Sequence, residues 1–214
     1  IRDLTGDWSS DVCSSDLVVT ITDELYPKAL KEYDDSPYML FYKGDIDRLN
    51  KNKSVSIVGS RDCSSYGVNI TNIICNDLSK NNINIISGMA RGIDSIAHKK
   101  CIENNSYTCA VLGSGIDVIY PRENKNVYDE IIKNGCVISQ FLPGTKPYAY
   151  NFPIRNKIIS GLSEVVVVIE GSEKSGTLIT ASSALEQGKD VIAVPGNVFS
   201  KQSKGTNKLI KDGA

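Results

Sequence analysis

Short apolar runs alternate along this chain with stretches of helical periodicity. The clearest case spans residues 83–101. Residues 83–86 form a β-branched run, residues 87–92 carry two glycines and a serine hydroxyl, and apolar side chains recur at helical spacing over residues 93–101. The pattern predicts a buried strand, a glycine-rich turn and a helix, which together make one βα unit of a parallel sheet.

The same unit is repeated along the chain. Strands are predicted near residues 55–58, 83–86, 107–112, 136–139, 164–169 and 190–194. Helices are predicted near residues 67–80, 92–103, 122–133, 153–162 and 176–187. This alternation predicts an α/β fold, a Rossmann-like doubly wound, mostly parallel sheet of about six strands with helices on both faces. The run at 164–169 is apolar on both faces, as a central parallel strand requires.

The sequence predicts that the whole chain divides into three regions. Residues 1–17 are rich in Ser and Asp, have no helical or strand period, and are expected to be a non-native or disordered leader. Residues 18–52 form a lead-in with a short helix at 26–33 and an edge strand at 38–42. Residues 53–214 form the Rossmann-like core.

Composition narrows the classes of partner and compartment. The net charge is −1, so a nucleic-acid site would have to be a local basic patch. The six cysteines include no C-x-x-C pair, which favours a reducing, cytoplasmic setting. No apolar run approaches the roughly 18 residues that a membrane-spanning helix needs, so no membrane association is expected.

Glycines and hydroxyls follow four of the predicted strands. Ligands of doubly wound sheets bind beyond the carboxyl ends of the strands, where backbone N–H groups and helix N-termini favour anions such as phosphate. The candidate binding residues in these turns are Gly59, Ser60, Ser87, Gly88, Gly113, Ser114, Gly115, Lys174, Ser175, Gly176 and Thr177.

Arginines gather at the same edge of the predicted sheet. Four of the six in the chain fall there, namely Arg61, Arg91, Arg122 and Arg155. A guanidinium is planar and permanently charged, and its N–H groups can bind two phosphate oxygens at once. The concentration of arginines at one edge therefore indicates an anionic ligand. The alternative is that each arginine pairs with a local carboxylate or caps carbonyls.

Two phosphate-binding fingerprints fit only in part. Gly171 and Gly176 have the glycine spacing of a P-loop, but Thr177-Leu178 occupies the place of Lys-Ser/Thr. The turn at 113–115 lacks the third glycine of the dinucleotide fingerprint, where Val118 stands. Nucleoside triphosphate hydrolysis and NAD binding are therefore disfavoured, and no cofactor is predicted.

Asp94 and His98 would share one face of a helix. They could serve acid–base chemistry, or Asp94 could stabilise the first helical turn while His98 makes a structural hydrogen bond. No nucleophile has an evident base and no metal-ligating cluster is present, so neither a catalytic nor a metal site is assigned.

The long connection at residues 141–155 contains four aromatic side chains. They could simply cover the sheet edge. Alternatively, aromatics interleaved with Lys146 and Arg155 could stack on unpaired bases, as in proteins that bind single-stranded nucleic acid.

The motifs together resemble one family. They are Val58-Gly59-Ser60-Arg61, Ser87-Gly88-Met89-Ala90-Arg91-Gly92-Ile93-Asp94, Leu112-Gly113-Ser114-Gly115, Asn151-Phe152-Pro153-Ile154-Arg155-Asn156, Ser175-Gly176-Thr177 and Val194-Pro195-Gly196. In this order and spacing they resemble the DNA-processing protein A (DprA/Smf) family over about residues 22–214.

The resemblance implies a non-enzymatic protein that binds single-stranded DNA, forms homodimers and helps to load the RecA recombinase during natural transformation. It further implies that Arg61, Phe152 and Arg155 contact DNA. Arg91, Lys146 and Asn156 complete the candidate DNA-binding set.

A second possibility is an enzyme or sensor related to nucleoside-monophosphate phosphoribohydrolases with a lysine-decarboxylase-like fold. Their Pro-Gly-Gly-x-Gly-Thr-x-x-Glu motif ends in a glutamate that performs the chemistry. Here Thr180 replaces that glutamate. A nucleotide-sensing module without turnover is a third possibility.

Overall fold

The computed structural model describes residues 17–214. The strands are β1 (Leu17–Thr20), β2 (Met39–Gly44), β3 (Ser54–Val58), β4 (Asn84–Ser87), β5 (Thr108–Val111), β6 (Cys136–Ser139), β7 (Val165–Val168) and β8 (Asp190–Ala193). The α-helices are α1 (Ser65–Lys80), α2 (Ile93–Glu103), α3 (Lys125–Asn134), α4 (Asn151–Gly161), α5 (Gly176–Glu186) and α6 (Lys204–Lys211). Short 3-10 helices lie at Lys28–Glu32, Asp47–Asn50, Arg122–Asn124 and Lys201–Ser203.

The eight strands of the described part of the chain belong to one sheet, in the order β1-β2-β6-β5-β4-β3-β7-β8. The six strands from β3 to β8 run parallel, whereas β1 and β2 are antiparallel to their neighbours. The α/β class and the mostly parallel sheet are confirmed. Within residues 17–214 the sheet has eight strands rather than six, because the two antiparallel strands extend it.

The predicted edge strand at 38–42 lies inside the sheet, so this prediction is wrong. Its strand, β2, pairs with β6 on one side and with β1 on the other. Among the described residues the edge strand is β1, which begins at Leu17, the last residue of the expected leader. Residues 1–16 of that leader lie outside the described residues. The short helix expected at 26–33 is a 3-10 helix over Lys28–Glu32.

Helices cover both faces of the sheet. On one face, α4 and α5 pack through residues such as Ile159 and Ala181 against one set of strand side chains. On the other face, α1, α2 and α3 bury Cys75, Ala97 and Ile131 against the alternate set. Because strand side chains alternate between faces, parallel strands covered on both sides are apolar throughout.

The direction of winding reverses beside β3. The chain moves outward from β3 through β4 and β5 to β6, and then returns to place β7 on the other side of β3. The carboxyl ends of β3 and β7 therefore flank the topological switch point, where doubly wound folds bind their ligands.

Gly92 holds the turn after β3 against the start of α2. Its φ is +71°, and a Cβ added there would lie 2.3 Å from the carbonyl oxygen of Ser60. Only glycine fits both this backbone conformation and this close approach.

None of the helices within residues 17–214 has the length and apolar character that crossing a bilayer requires.

Candidate functional site

A cavity of about 410 Å³ opens at the switch point. It lies between the turn after β3, the first turns of α4 and the first turns of α5. Its lining comprises Val58, Gly59, Ser60, Arg61, Asp62, Ala90, Asp94, Phe152, Pro153, Arg155, Asn156, Ile159, Ser175, Gly176, Thr177, Ile179 and Thr180. Nine of the seventeen candidate residues are thus brought to one cavity by elements distant in sequence.

Arg61 and Phe152 meet at this cavity. Arg61 is exposed in the turn after β3, and its guanidinium carbon lies 5.6 Å from the ring centroid of Phe152. Phe152 is half-buried in the first turn of α4, where Pro153 follows it. An exposed cation beside an aromatic face is thus presented to solvent at the cavity.

The start of α5 is tied to the turn after β3. Ser175 caps the helix by accepting a hydrogen bond from the N–H of Thr177 at 3.2 Å. The Thr177 hydroxyl in turn donates to the carbonyl of Gly59 at 3.1 Å. Ser60 forms a local turn, in which its hydroxyl donates to the carbonyl of Asp62 at 2.9 Å. These three hydroxyls shape the cavity wall.

Arg155 was expected to be a cation at the sheet edge that binds an anionic ligand. Its side chain is instead buried in the core. The residue is only 4% exposed. Its Nη1 donates to the carbonyl of Gly88 at 2.6 Å and also to the carbonyl of Val111, and its Nε donates to Asn156 at 3.1 Å. Arg155 thereby joins the ends of β4 and β5 to α4, and a contact between Arg155 and DNA stays a prediction.

A buried carboxylate accompanies this buried guanidinium. A Cβ added at Gly88 would lie 2.8 Å both from Cζ of Arg155 and from Oδ2 of Asp94, so glycine is needed where the two side chains converge. Burial raises the pKa of Asp94, while the charge of Arg155 opposes that rise. Burial lowers the pKa of Arg155 to about 10, and Asp94 opposes that fall.

His98 makes a structural hydrogen bond, which was the alternative to a role in acid–base chemistry. Its Nδ1 lies 2.7 Å from the hydroxyl of Thr108, within a fully buried environment. Burial, followed by the charge of Arg155, lowers the pKa of His98 to about 3. The ring is therefore neutral at physiological pH and lies outside the cavity lining.

Arg91 is paired with the carboxylate of Glu123. Such local pairing was the alternative to binding an anionic ligand. Nη2 of Arg91 donates to Oε2 of Glu123 at 2.9 Å, and its Nε bonds the other carboxylate oxygen. Hydrogen bonding with Glu123 raises the pKa of Arg91 and lowers that of the carboxyl. Arg91 and Gly88 line a smaller cavity of about 50 Å³ beside the main one.

Two of the serines expected to bind the ligand, Ser87 and Ser114, have buried hydroxyls, so the structure corrects this prediction. Ser87 is fully buried and donates to the carbonyl of Ile57 at 2.7 Å. Ser114 is buried and donates to the carbonyl of Val118 at 2.7 Å. Gly113 and Gly115 are buried beside it. Ser114 is closed because the connection before α4 folds over its turn, whereas Ser87 is the last residue of β4 and bonds the backbone of the neighbouring strand β3.

The connection at 141–155 has an ordered main chain and exposed rings. The N–H of Gly115 donates to the carbonyl of Thr145 at 2.9 Å, and that of Gly144 donates to Asp117 at 2.7 Å. The rings of Tyr148 and Tyr150 are exposed. The main chain thus covers the end of β5, while these tyrosine rings face solvent.

Lys146 and Lys174 are exposed and do not line the cavity, whereas Asn156 is buried in its wall. Sequence reasoning missed Asp62 and Ile179 as lining residues. It found Asp94 and Thr180 without placing them in the cavity. Within residues 17–214, no group of three or more His, Cys, Asp or Glu side chains is arranged to hold a metal ion.

These features define a Rossmann-like α/β protein with a cavity at its topological switch point where an exposed arginine meets a half-buried phenylalanine. The sequence model of the family described as DNA recombination-mediator protein A matches residues 17–214, and the chain belongs to this family.

Individual relatives agree with this assignment. DNA processing protein DprA of Bacillus subtilis is 43% identical over 196 residues, which cover 92% of this chain and 66% of that protein. The chain therefore spans about two thirds of the length of this relative.

Two solved structures resemble the fold closely. The X-ray structure of DprA from Streptococcus pneumoniae superposes with a TM-score of 0.89 at 42% identity, covering 94% of this chain and 70% of that one. DNA processing protein A from Helicobacter pylori, studied for its single-stranded DNA binding mode, superposes with a TM-score of 0.83 at 31% identity. That match covers 92% of this chain and 88% of the other.

Proposed function

We propose that this protein binds single-stranded DNA along the carboxyl edge of its parallel sheet. The observation that carries the proposal is the exposed guanidinium of Arg61 over the ring of Phe152, at a cavity on the switch point. A permanent cation beside an aromatic ring suits a strand whose phosphates and unpaired bases are both accessible. Similarity to the H. pylori protein, which has a single-stranded DNA binding mode, supports the same ligand.

In the cell, the bound strand would be protected and passed to the RecA recombinase during natural transformation. The description of the family as a recombination mediator supports this part of the proposal. The protein would act in the cytoplasm as a homodimer, and without catalysing a reaction. The free thiols of Cys63, Cys75, Cys101, Cys109 and Cys136 are consistent with a reducing compartment.

Titration of labelled oligonucleotides tests the ligand directly. Single strands should bind more tightly than duplex of the same length, with little dependence on sequence, because stacking and phosphate contacts do not read base edges. The logarithm of affinity should fall with the logarithm of salt concentration by about 0.7 per phosphate contacted. Equal affinity for duplex, or affinity independent of salt, would contradict the proposal.

Nucleotide binding is the second candidate, and the cavity itself favours it. Its volume of about 410 Å³ falls within the range of roughly 300–1,000 Å³ that small-molecule sites occupy. Thr180, at the position of the phosphoribohydrolase glutamate, lies on the cavity wall. Incubation with AMP should release no adenine if turnover has been lost. Binding of AMP with no affinity for oligonucleotides would favour a nucleotide sensor over the DNA-binding function.

A further inference from the structure

Two tyrosine rings lie stacked and exposed beside the N-terminus of α4. The ring centroids of Tyr148 and Tyr150 are 5.4 Å apart and their planes differ by 7°. Tyr148 is 47% exposed and Tyr150 is 65% exposed. Most exposed aromatics are single residues, so a parallel pair with this much ring surface in solvent indicates a surface that another flat group can extend.

The pair is held in place before any ligand arrives. The side-chain amide of Asn151 donates to the carbonyls of Gly113 and Lys146 at 3.0 and 3.3 Å, which fastens the two ends of the tyrosine segment to the core. The N–H of Asn151 also donates to the carbonyl of Tyr148 at 3.0 Å. A preformed platform loses little conformational entropy on binding, because its backbone is already ordered.

The pair also continues the edge that contains Arg61 and Phe152. Tyr150 is the N-cap residue of α4 and precedes Phe152 by two residues. The main chain of this segment lies over the end of β5, whereas Arg61 follows β3. With strands about 4.8 Å apart, β3 and β5 are separated by roughly 10 Å along the edge. Lys146, exposed just before the tyrosines, supplies a positive charge at the far end of this path.

We infer that Tyr148 and Tyr150 form a second base-stacking site for single-stranded nucleic acid. The strand passes from the cavity at Arg61, over Phe152, to the stacked tyrosines, where an unpaired base stacks on the exposed ring of Tyr150. This inference rests on the proposed function, because it extends the path of the same ligand. Aromatic faces accept any base, so the second site adds affinity without sequence preference.

The chain supplies matched variants for a test. Tyr150→Leu removes the flat ring, Tyr150→Phe and Tyr150→Trp keep one, and Leu142→Ser removes an exposed apolar side chain from the same connection. The side chain of Tyr150 makes no capping hydrogen bond to α4, so the variants are expected to fold. Each is titrated with oligothymidylates that contain a single 2-aminopurine at successive positions, because the fluorescence of this base is quenched when it stacks.

Tyr150→Leu should weaken binding about 5- to 150-fold, the loss of one stacked base, and should abolish quenching at one oligonucleotide position. Tyr150→Phe, Tyr150→Trp and Leu142→Ser should keep both the affinity and the quenching. If Tyr150→Leu binds like the unchanged protein while Arg61→Ala binds weakly, the second site is refuted and the proposed function stands. If the unchanged protein binds no single strand, the proposed function fails. If Tyr150→Leu changes only the oligomeric state, the tyrosines contact a protein, which also overturns the inference.

Discussion

Arg155 and Gly88 meet in the core beneath the cavity, where Nη1 of the arginine donates to the glycine carbonyl at 2.6 Å. The same guanidinium bonds the carbonyl of Val111 and approaches the buried carboxylate of Asp94. The contact joins the ends of two neighbouring strands to the helix that presents Phe152. An arginine of the sheet edge therefore supports the site from inside, while Arg61 is the one that faces solvent at the cavity.

Removal of Arg155 should destabilise the protein. Arg155→Ala leaves two strand-end carbonyls without their donor and leaves Asp94 as an uncompensated buried charge, a loss of about 3–5 kcal/mol in the free energy of unfolding. Denaturant unfolding monitored by circular dichroism measures the change. Combining Arg155→Ala with Asp94→Asn should give a smaller loss than the sum of the two single losses, because the two side chains interact. A midpoint equal to that of the unchanged protein would show that the arginine is dispensable for folding.

Phe152 separates stacking on a base from packing in the core. Phe152→Ala should lower the affinity for single-stranded oligonucleotides by about 1–3 kcal/mol, the worth of one base–aromatic stack. Its stability loss should stay below the roughly 3–5 kcal/mol of a fully buried phenylalanine, because the ring is only half-buried.

Phe152→Tyr is the matched control and should retain most of the affinity. Both quantities are measured on the same preparations, with affinity corrected for the folded fraction. The stacking role would be refuted by an alanine variant that loses the full stability of a buried ring yet binds normally when folded.

The lowered pKa of His98 leads us to expect that the protein loses stability in mild acid. Its pKa is lowered from 6.5 to about 3 in the folded state, so the unfolded chain binds a proton that the folded protein does not. This contribution to stability is complete well above pH 6.5 and is lost as the pH falls through 6.5 towards 3. The loss between about pH 8 and pH 5 should be about 2 kcal/mol. Asp94, whose pKa is raised by burial, acts in the opposite direction as the pH falls through its folded-state pKa.

Urea unfolding at several pH values, with His98→Gln as the control, isolates this effect. The glutamine can still bond Thr108 but does not titrate, so its stability should change less over the same pH range. Parallel pH profiles for the two proteins would mean that His98 is not the group responsible.

The βα units were predictable because the pattern of each one lies within a single short stretch of sequence. A β-branched run, a glycine turn and a 3.6-residue period identify β4 and α2 without reference to the rest of the chain. β1 was not predictable in this way, because four residues have no distinguishing period and their pairing with β2 depends on contacts about 20 residues away in the sequence. α6 was also missed, because its eight residues include only two apolar side chains, those of Leu209 and Ile210.

The site was predicted better in position than in the role of each side chain. The glycine turns did converge on one edge, but burial separated residues that look alike in sequence. Arg155 shares its helical face with Ile158, Ile159 and Leu162, and this spacing was a readable signal that it points inward. The closure of the turn at Ser114 could not be foreseen, because it depends on how the connection before α4 folds back.

The most direct test of the account compares Arg61→Ala with Lys80→Ala in oligothymidylate binding measured by fluorescence anisotropy. Both variants remove one exposed positive charge, at the carboxyl edge of the sheet for Arg61 and at the end of α1 for Lys80. Arg61→Ala should bind more weakly, with a salt dependence shallower by about 0.7 and an unchanged thermal midpoint. Lys80→Ala should bind like the unchanged protein. Equal binding by both variants and the unchanged protein would contradict the assignment of this cavity as the site for single-stranded DNA.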